Sequence, residues 1–236
     1  IGTIESGSQG GGMGAKTGLY ACPVESEELL PYTEKLKYLN DKNLENLMRP
    51  FGSKGKILAE NADKTPTIMA AMGTGGGNGI YVAENWDGKT YPVYTVANGL
   101  ITIKDKQYPI KLPDGYYIIR KLTVKECMRL QTVRDDYIFP VSNTQAYKML
   151  GNGWTVDVIV HILSHIPNLQ DYELEVLSLY DGMSCGNLAL EKLGCKIARY
   201  VSYEIDKWAI ETTQANFPFV EQRGDAFQVR EHDWKY

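Results

Sequence analysis

Hydrophobic spacing divides the chain into two stretches of different character. Between Glu25 and Met48, Leu29, Leu36, Leu39, Leu44 and Leu47 follow a helical pattern interrupted by Pro31 and Asn40, which predicts helix broken at those two positions. Further on the period shortens. Ile80-Tyr81-Val82, Tyr91–Val96, Leu100–Ile103 and Tyr116–Ile119 are short runs rich in β-branched and aromatic residues, and they predict strands. Asn98-Gly99 and Asp114-Gly115 supply turn chemistry between them. The Gly- and Ser-rich residues 1–18 and the cluster Gly73–Gly79 predict loops.

The character changes near residue 123. Thr123 with Glu126 forms a capping box ahead of Cys127, Met128 and Leu130, so a helix should begin there. Gln145–Leu150 and Trp154–Ile166 carry helical patterns, and Pro167–Glu173 is a polar linker. After it the alternation becomes regular. Leu174–Tyr180 is an almost unbroken apolar run suited to a buried parallel strand. Cys185–Leu193 predicts a helix stopped by Gly194, Ile197–Tyr203 a second strand, Asp206–Asn216 a second helix, and Phe219–Glu221 the start of a third strand. A βαβαβ run of this kind is half of a doubly wound nucleotide-binding fold. The expected class is therefore α/β, a partial Rossmann-like fold preceded by an irregular, β-rich domain, with the boundary set at residues 140 and 141.

Composition narrows the class. The chain has 236 residues, 43% apolar and 23% charged, enough for a substantial core and unlike a disordered or miniature scaffold. No apolar run reaches the length of a membrane-spanning helix, so no membrane partner is expected. Ile1-Gly2-Thr3-Ile4 lacks an initiator Met and a signal pattern and reads as the interior of a protein. Cys22, Cys127, Cys185 and Cys195 form no CxxC pair, which suits a reduced, cytoplasmic setting. His161 and His165 stand at i, i+4, but Ile162 occupies the position where a zincin places Glu; a shared helix face is expected and no metal site. The net charge of −4 is unevenly spread. Leu100–Gln131 carries seven basic residues against three acidic ones, whereas residues 171–236 carry seven against twelve. One part could meet an anionic polymer and the other a small molecule.

The strand–turn–helix at Asp181-Gly182-Met183-Ser184-Cys185-Gly186 is the candidate ligand site. Gly182 permits a tight turn and close approach, and the helix start offers free N–H groups. Glu204 ends the next strand, 22 residues after Gly182, where a carboxylate can accept both ribose hydroxyls. Asp225 follows Gly224 beyond the third strand, placed to accept an adenine amino group, and Tyr180 can stack on adenine. The turn is neither G-x-G-x-x-G nor a P-loop and carries no basic residue for a pyrophosphate. An adenosine carrying a cationic sulfonium, S-adenosylmethionine, fits an acid-rich pocket better. Gly182-Met183-Ser184-Cys185-Gly186 also spells G-x-S-x-G, the nucleophile elbow of α/β-hydrolases. That fold needs an Asp and then a His downstream, and only His232 remains.

Five segments together resemble the DNA cytosine-5 methyltransferases, particularly those of phages and prophages. Leu177–Gly186 is similar to the family's first motif, Ser202–Asp206 to its second and Gly224–Val229 to its third. Arg120–Gln131 resembles the ninth, which supports a target recognition domain, and Tyr147–Val156 the tenth, which closes the cofactor pocket. Thr65-Pro66-Thr67-Ile68 with the Gly cluster after it resembles the recognition-domain segment before the ninth motif. The resemblance implies S-adenosylmethionine bound by Tyr180, Asp181, Gly182, Glu204, Ile205, Asp225, Ala226, Asn152, Gly153 and Trp154. It also implies double-stranded DNA met by Gly75, Gly76, Gly77, Asn78, Arg120 and Lys121.

The motif order is circularly permuted: recognition domain, ninth and tenth come before first, second and third. The family's catalytic block is absent. Its nucleophile is a Cys directly after Pro, and no Pro-Cys dipeptide occurs here; Cys22-Pro23 is the reverse. Glu84-Asn85-Trp86 resembles the family's Glu-Asn-Val only superficially, since it lies in the recognition region. In the family a thiolate adds to cytosine C6 so that C5 can attack the methyl group, on a base flipped out of the duplex. The expectation is therefore a cofactor- and target-binding portion with no catalytic residue of its own, completed by a segment or partner chain that carries Pro-Cys. The alternative is a non-catalytic, methyltransferase-like regulatory subunit. The setting expected is the cytoplasm of a bacterial or phage-infected cell.

Overall fold

The computed structural model describes residues 36–48, 56–74, 79–89 and 91–229. The expected loop at 1–18, the first part of the Glu25–Met48 helix, the Gly75–Asn78 turn and Cys22 lie outside these residues. The chain divides into two compact units between Thr123 and Val124, near the change of character at residue 123 and ahead of the boundary expected at residues 140 and 141.

In the first unit, helix α1 (Asp41–Met48) accompanies strands β1 (Lys56–Ala59), β2 (Ile80–Asn85), β3 (Tyr94–Ala97), β4 (Leu100–Ile103), β5 (Lys106–Pro109) and β6 (Gly115–Lys121). They form one sheet in the order β1-β2-β6-β3-β4-β5, with β1 parallel to β2 and the other pairings antiparallel. The short strands read from the sequence are present, and burial alternates along β3 and β4. Tyr94, Val96, Ile101 and Ile103 point inward and pack with Leu44 and Leu47 of α1, Tyr117 and Ile119. Asn98 and Gly99, both in the left-handed region, make the β3–β4 turn, whose twist suits a two-residue hairpin.

Two sequence expectations are corrected here. Leu36 and Leu39 belong to an extended segment, not a helix: Leu39 N–H donates to Ile119 O at 2.8 Å and Lys121 N–H to Lys37 O at 3.1 Å. That segment continues the edge of β6 that β3 leaves open. Asn40 starts α1 instead of interrupting a helix, its Oδ1 accepting Asn43 N–H at 3.0 Å, as short polar residues do at helix N-termini. Strands β1 and β5 had no pattern to announce them. β5 is Lys-Gln-Tyr-Pro at the sheet edge, the place where Pro is tolerated.

The second unit holds α2 (Val124–Leu130), α3 (Asn143–Asn152), α4 (Val156–Leu163), β7 (Glu173–Leu179), α5 (Cys185–Lys192), β8 (Lys196–Tyr203), α6 (Lys207–Asn216) and β9 (Glu221–Gln222). The parallel sheet runs β7-β8-β9, which is the βαβαβ half-fold expected. Gln131, after α2, ties the helices together. Its Nε2 donates to Leu150 O at 2.8 Å, its Oε1 accepts Thr155 Oγ1 at 2.7 Å, and its carbonyl accepts Val156 N–H at 3.0 Å. β7 departs from expectation. β8 takes the buried central place, with Tyr200, Val201, Ser202 and Tyr203 enclosed, while β7 lies at an edge with Leu174, Val176 and Leu177 half-buried and Leu179 exposed. Among the described residues no strand pairs with its other edge.

Candidate cofactor site

The turn after β7 is strained and deliberately held. Tyr180, Gly182 and Ser184 have φ of 57°, 59° and 56°; glycine adopts this freely, but a non-glycine residue there costs of order 1–3 kcal/mol. The carboxylate of Asp181 collects the fastenings. Its Oδ1 accepts Ser178 Oγ at 2.5 Å and Tyr200 OH at 2.8 Å, and its Oδ2 accepts the Ser184 hydroxyl. Thr213 Oγ1 of α6 donates to Gly182 O at 3.2 Å, and the buried Tyr137 donates its hydroxyl to Met183 O at 2.7 Å. Burial raises the Tyr200 and Tyr137 hydroxyls, and the Asp181 charge adds to both. These phenols stay protonated donors at neutral pH. Asp181 therefore acts inside the turn, with both Oδ1 positions taken and Oδ2 holding Ser184.

Glu204 closes the turn from the other side. It follows β8, so it stands at the carboxyl end of the sheet, the end at which doubly wound folds bind ligands. Its Oε2 accepts Gly182 N–H at 2.8 Å, while Oε1 accepts the N–H groups of Ile205 and Asp206, each at 2.8 Å. A carboxylate offers about four acceptor positions. Three are taken, and the place left is on Oε2, beside Gly182.

The opposite wall is the end of α3. Gly153 sits where a Cβ would stand 3.0 Å from both Cys185 Sγ and Met149 O, so only glycine packs there undisturbed. Trp154 is half exposed beside it. Burial pushes the Cys185 thiol up to about 11, the Asp181 charge adding and the Trp154 backbone N–H opposing. Between the walls lies a cleft of about 270 Å³ that gathers Tyr180, Asp181, Gly182, Glu204, Asn152, Gly153 and Trp154. Ile205, Asp225 and Ala226 are not among its lining residues. Asp225 instead caps the turn after β9, accepting Phe227 N–H at 2.9 Å. Tyr180, Ile205 and Phe227 are the most exposed apolar groups at this end, with 69, 76 and 88% of their surface free. Lys148 and Asp206, which the sequence reading did not single out, also line the cleft, joined by an ion pair at 2.7 Å.

The residues present fit a nucleoside. One acceptor remains at a strand-end carboxylate, a backbone turn is open to close approach at Gly182, and the exposed rings of Tyr180 and Trp154 line the cleft.

In the first unit Arg120 is 8% exposed and spends its guanidinium on Glu84 of the neighbouring strand, Nε and Nη2 lying 2.7 and 2.5 Å from Oε1. Lys121 Nζ donates to Met72 O at 2.5 Å. Much of the cationic stretch is likewise paired: Lys106 with Glu45, and Lys125 and Arg129 with Asp135. Lys104 and Lys111 are exposed. Gly75, Gly76, Gly77 and Asn78 lie outside the described residues.

Residues 28–168 match the family described as C-5 cytosine-specific DNA methylase. Curated relatives include DNA (cytosine-5)-methyltransferase DRM2 of Arabidopsis thaliana, 37% identical over 67 residues, 28% of this chain and 11% of that protein. Type II methyltransferase M.SsoII of Shigella sonnei is 48% identical over 52 residues, 22% of this chain and 14% of its own. M.HpaII of Haemophilus parainfluenzae is 44% identical over 57 residues, 22% and 16%. The chain thus spans about a tenth to a sixth of the length of these relatives. Among solved structures, the tRNA (uracil-54, C5)-methyltransferase of Pyrococcus abyssi with S-adenosyl-L-homocysteine covers 75% of this chain and 36% of its own at 16% identity. Its TM-score is 0.23, too low to carry weight. The family match covers more than half of the sequence, and the chain belongs to the C-5 cytosine-specific DNA methylases.

Proposed function

We propose that this chain is the methyl-donor-binding and target-reading portion of a DNA cytosine-5 methyltransferase acting on duplex DNA. C-5 cytosine DNA methylases draw on S-adenosylmethionine, whose sulfonium supplies the methyl group. One observation carries the reading: Glu204, at the carboxyl end of β8, is fastened to Gly182 in the turn after β7 and keeps an acceptor for a ribose hydroxyl. Tyr180 and Ile205 flank the adenine, Asp225 and Ala226 lie beyond β9 on its amino side, and Asn152, Gly153 and Trp154 close the cleft. Residues 1–140 read the target. Gly75–Asn78 and the exposed Lys104 and Lys111 contact the duplex, with Arg120 and Lys121 supporting that contact from the sheet, where Arg120 is paired with Glu84 and Lys121 bonded to Met72 O.

A cytosine-attacking thiolate requires a lowered pKa. Cys127 and Cys185 are buried, and burial raises the thiols of Cys185 and Cys195. Among the described residues no cysteine is thus activated, which supports a separate segment carrying Pro-Cys, in the same protein or a companion chain, and the half-exposed β7 edge is a surface such a segment could cover. The setting we propose is the cytoplasm of a bacterial or phage-infected cell. Among the described residues no helix is long and apolar enough to cross a membrane.

Calorimetry of the 236-residue chain with S-adenosylhomocysteine tests the core of this reading. Glu204→Ala removes a hydrogen bond to a charged acceptor, worth roughly 1.5–3 kcal/mol, and affinity should fall at least tenfold. Unchanged affinity overturns the assignment. Tritium transfer to DNA by the chain alone, lost in Cys22→Ala or Cys185→Ala, would overturn the need for a separate nucleophile.

A further inference from the structure

Lys148 is the only cation among the described residues that line the cleft. It stands four residues before Asn152 on α3, so the two share a helix face. Its Nζ meets Asp206 Oδ2 at 2.7 Å, a bond between residues 58 apart in the chain. Asp206 is engaged three ways. Oδ2 holds Lys148, Oδ1 accepts Trp208 N–H at 3.0 Å at the start of α6, and its own N–H donates to Glu204 Oε1 at 2.8 Å. An unbroken run of polar contacts therefore leads from α3 through Asp206 to the carboxylate of Glu204.

Resting on the methyl-donor reading above, we propose that Lys148 is a positioning residue: by holding Asp206 it fixes the 204–206 turn and aims Glu204 at the ribose. The charges support this. Without Lys148, the carboxylates of Asp206 and Glu204 lie two residues apart on one cleft wall with no cation on that wall's partner. Lys148 already draws Asp206 below the ordinary carboxylate range, chiefly through their hydrogen bond. Both side chains are partly solvated, 47% and 29% exposed, so the pair adds little to folding stability. Its effect belongs to binding.

The 236-residue chain is titrated by calorimetry with S-adenosylhomocysteine and, separately, with adenosine, which lacks the amino-acid tail. Lys148→Ala should weaken both ligands by the same factor, roughly three- to fivefold, with melting temperature unchanged. Lys148→Arg should restore both, and Lys148→Ala combined with Asp206→Asn should lose no more than either single change. If Lys148→Ala weakens S-adenosylhomocysteine and spares adenosine, Lys148 grips the ligand's carboxylate and the positioning role is overturned. Unchanged affinity for both ligands, with the unaltered chain binding normally, also overturns it while leaving the methyl-donor reading standing. An unaltered chain that binds neither ligand removes that reading, and the role of Lys148 with it.

Discussion

Two equally apolar stretches meet different fates. In the β3–β4 hairpin burial alternates residue by residue, and Val96, Ile101 and Ile103 are each at most 2% exposed. In β7, Leu174, Val176 and Leu177 are only partly buried and Leu179 is 46% exposed. The hairpin has α1 over its inner face, and its partners all come from the same unit. β7 has β8 on one edge only among the described residues. Apolar content marks a stretch that needs covering, and whether it is covered depends on partners that the stretch itself does not encode.

Core truncation should expose the contrast most strongly. Leu44 is fully enclosed against the hairpin, and Leu44→Ala should cost about 2–5 kcal/mol in urea unfolding, the transfer loss plus the cavity. Leu179→Ala, which removes a half-exposed side chain, should cost under about 1 kcal/mol. Equal losses would mean that β7 is as well covered as the hairpin, which would remove the β7 edge as a support for a separate segment.

Gly153 sharpens the comparison inside the second unit. A Cβ there meets the Sγ of Cys185 and the backbone carbonyl of Met149 at 3.0 Å, and neither is the loose end of a flexible side chain. Gly153→Ala should cost about 1–3 kcal/mol by overpacking and widen the cleft between α3 and the turn. S-adenosylhomocysteine affinity should drop along with stability. A stable variant with unaltered affinity would show that the α3 wall yields without disturbing the site.

Legibility in the sequence followed the range of the interactions. β4 and the Asn98-Gly99 turn were readable because alternation and left-handed turn residues are local signals. So was the cleft's outline, since Gly182, Glu204 and the Asn152–Trp154 segment each belong to a recognisable short pattern. β5 was not, because three of its four residues point to solvent or the sheet edge and its pairing comes from β4. Leu36 and Leu39 kept helical spacing by chance, while β6 offered them backbone partners that a spacing argument cannot weigh. The Lys148–Asp206 pair was hidden for the same reason: each residue is ordinary in its own segment, and their meeting is a product of the fold. Arg120 shows the converse case. Its charge suggested phosphate, whereas Glu84 on the adjacent strand already satisfies it.

The smallest effect concerns how the short strand β9 is kept in place beside β8. β9 has two residues, and a cross-strand clamp supplements its backbone pairing: Arg199 Nε and Nη2 reach the two oxygens of Glu221 at 3.0 and 3.1 Å, and Arg223 adds a third contact at 2.7 Å. The two guanidinium groups, Arg199 first, hold the Glu221 carboxyl down at about 2, against an ordinary value of 4.5. A depressed carboxylate contributes its stability above the ordinary value and loses it as pH falls through the folded one. The window is therefore about pH 4.5 down to 2. The side chains of Glu221 and Arg199 are 41% and 31% exposed, so solvent screening keeps the gain under about 1 kcal/mol. Glu221→Gln should lower the melting temperature slightly at pH 7, and the gap from the unaltered chain should close towards pH 2 and shrink in high salt. A gap that persists unchanged at pH 2 would assign the loss to packing at the β8–β9 edge instead of charge, leaving backbone pairing alone to hold the third strand.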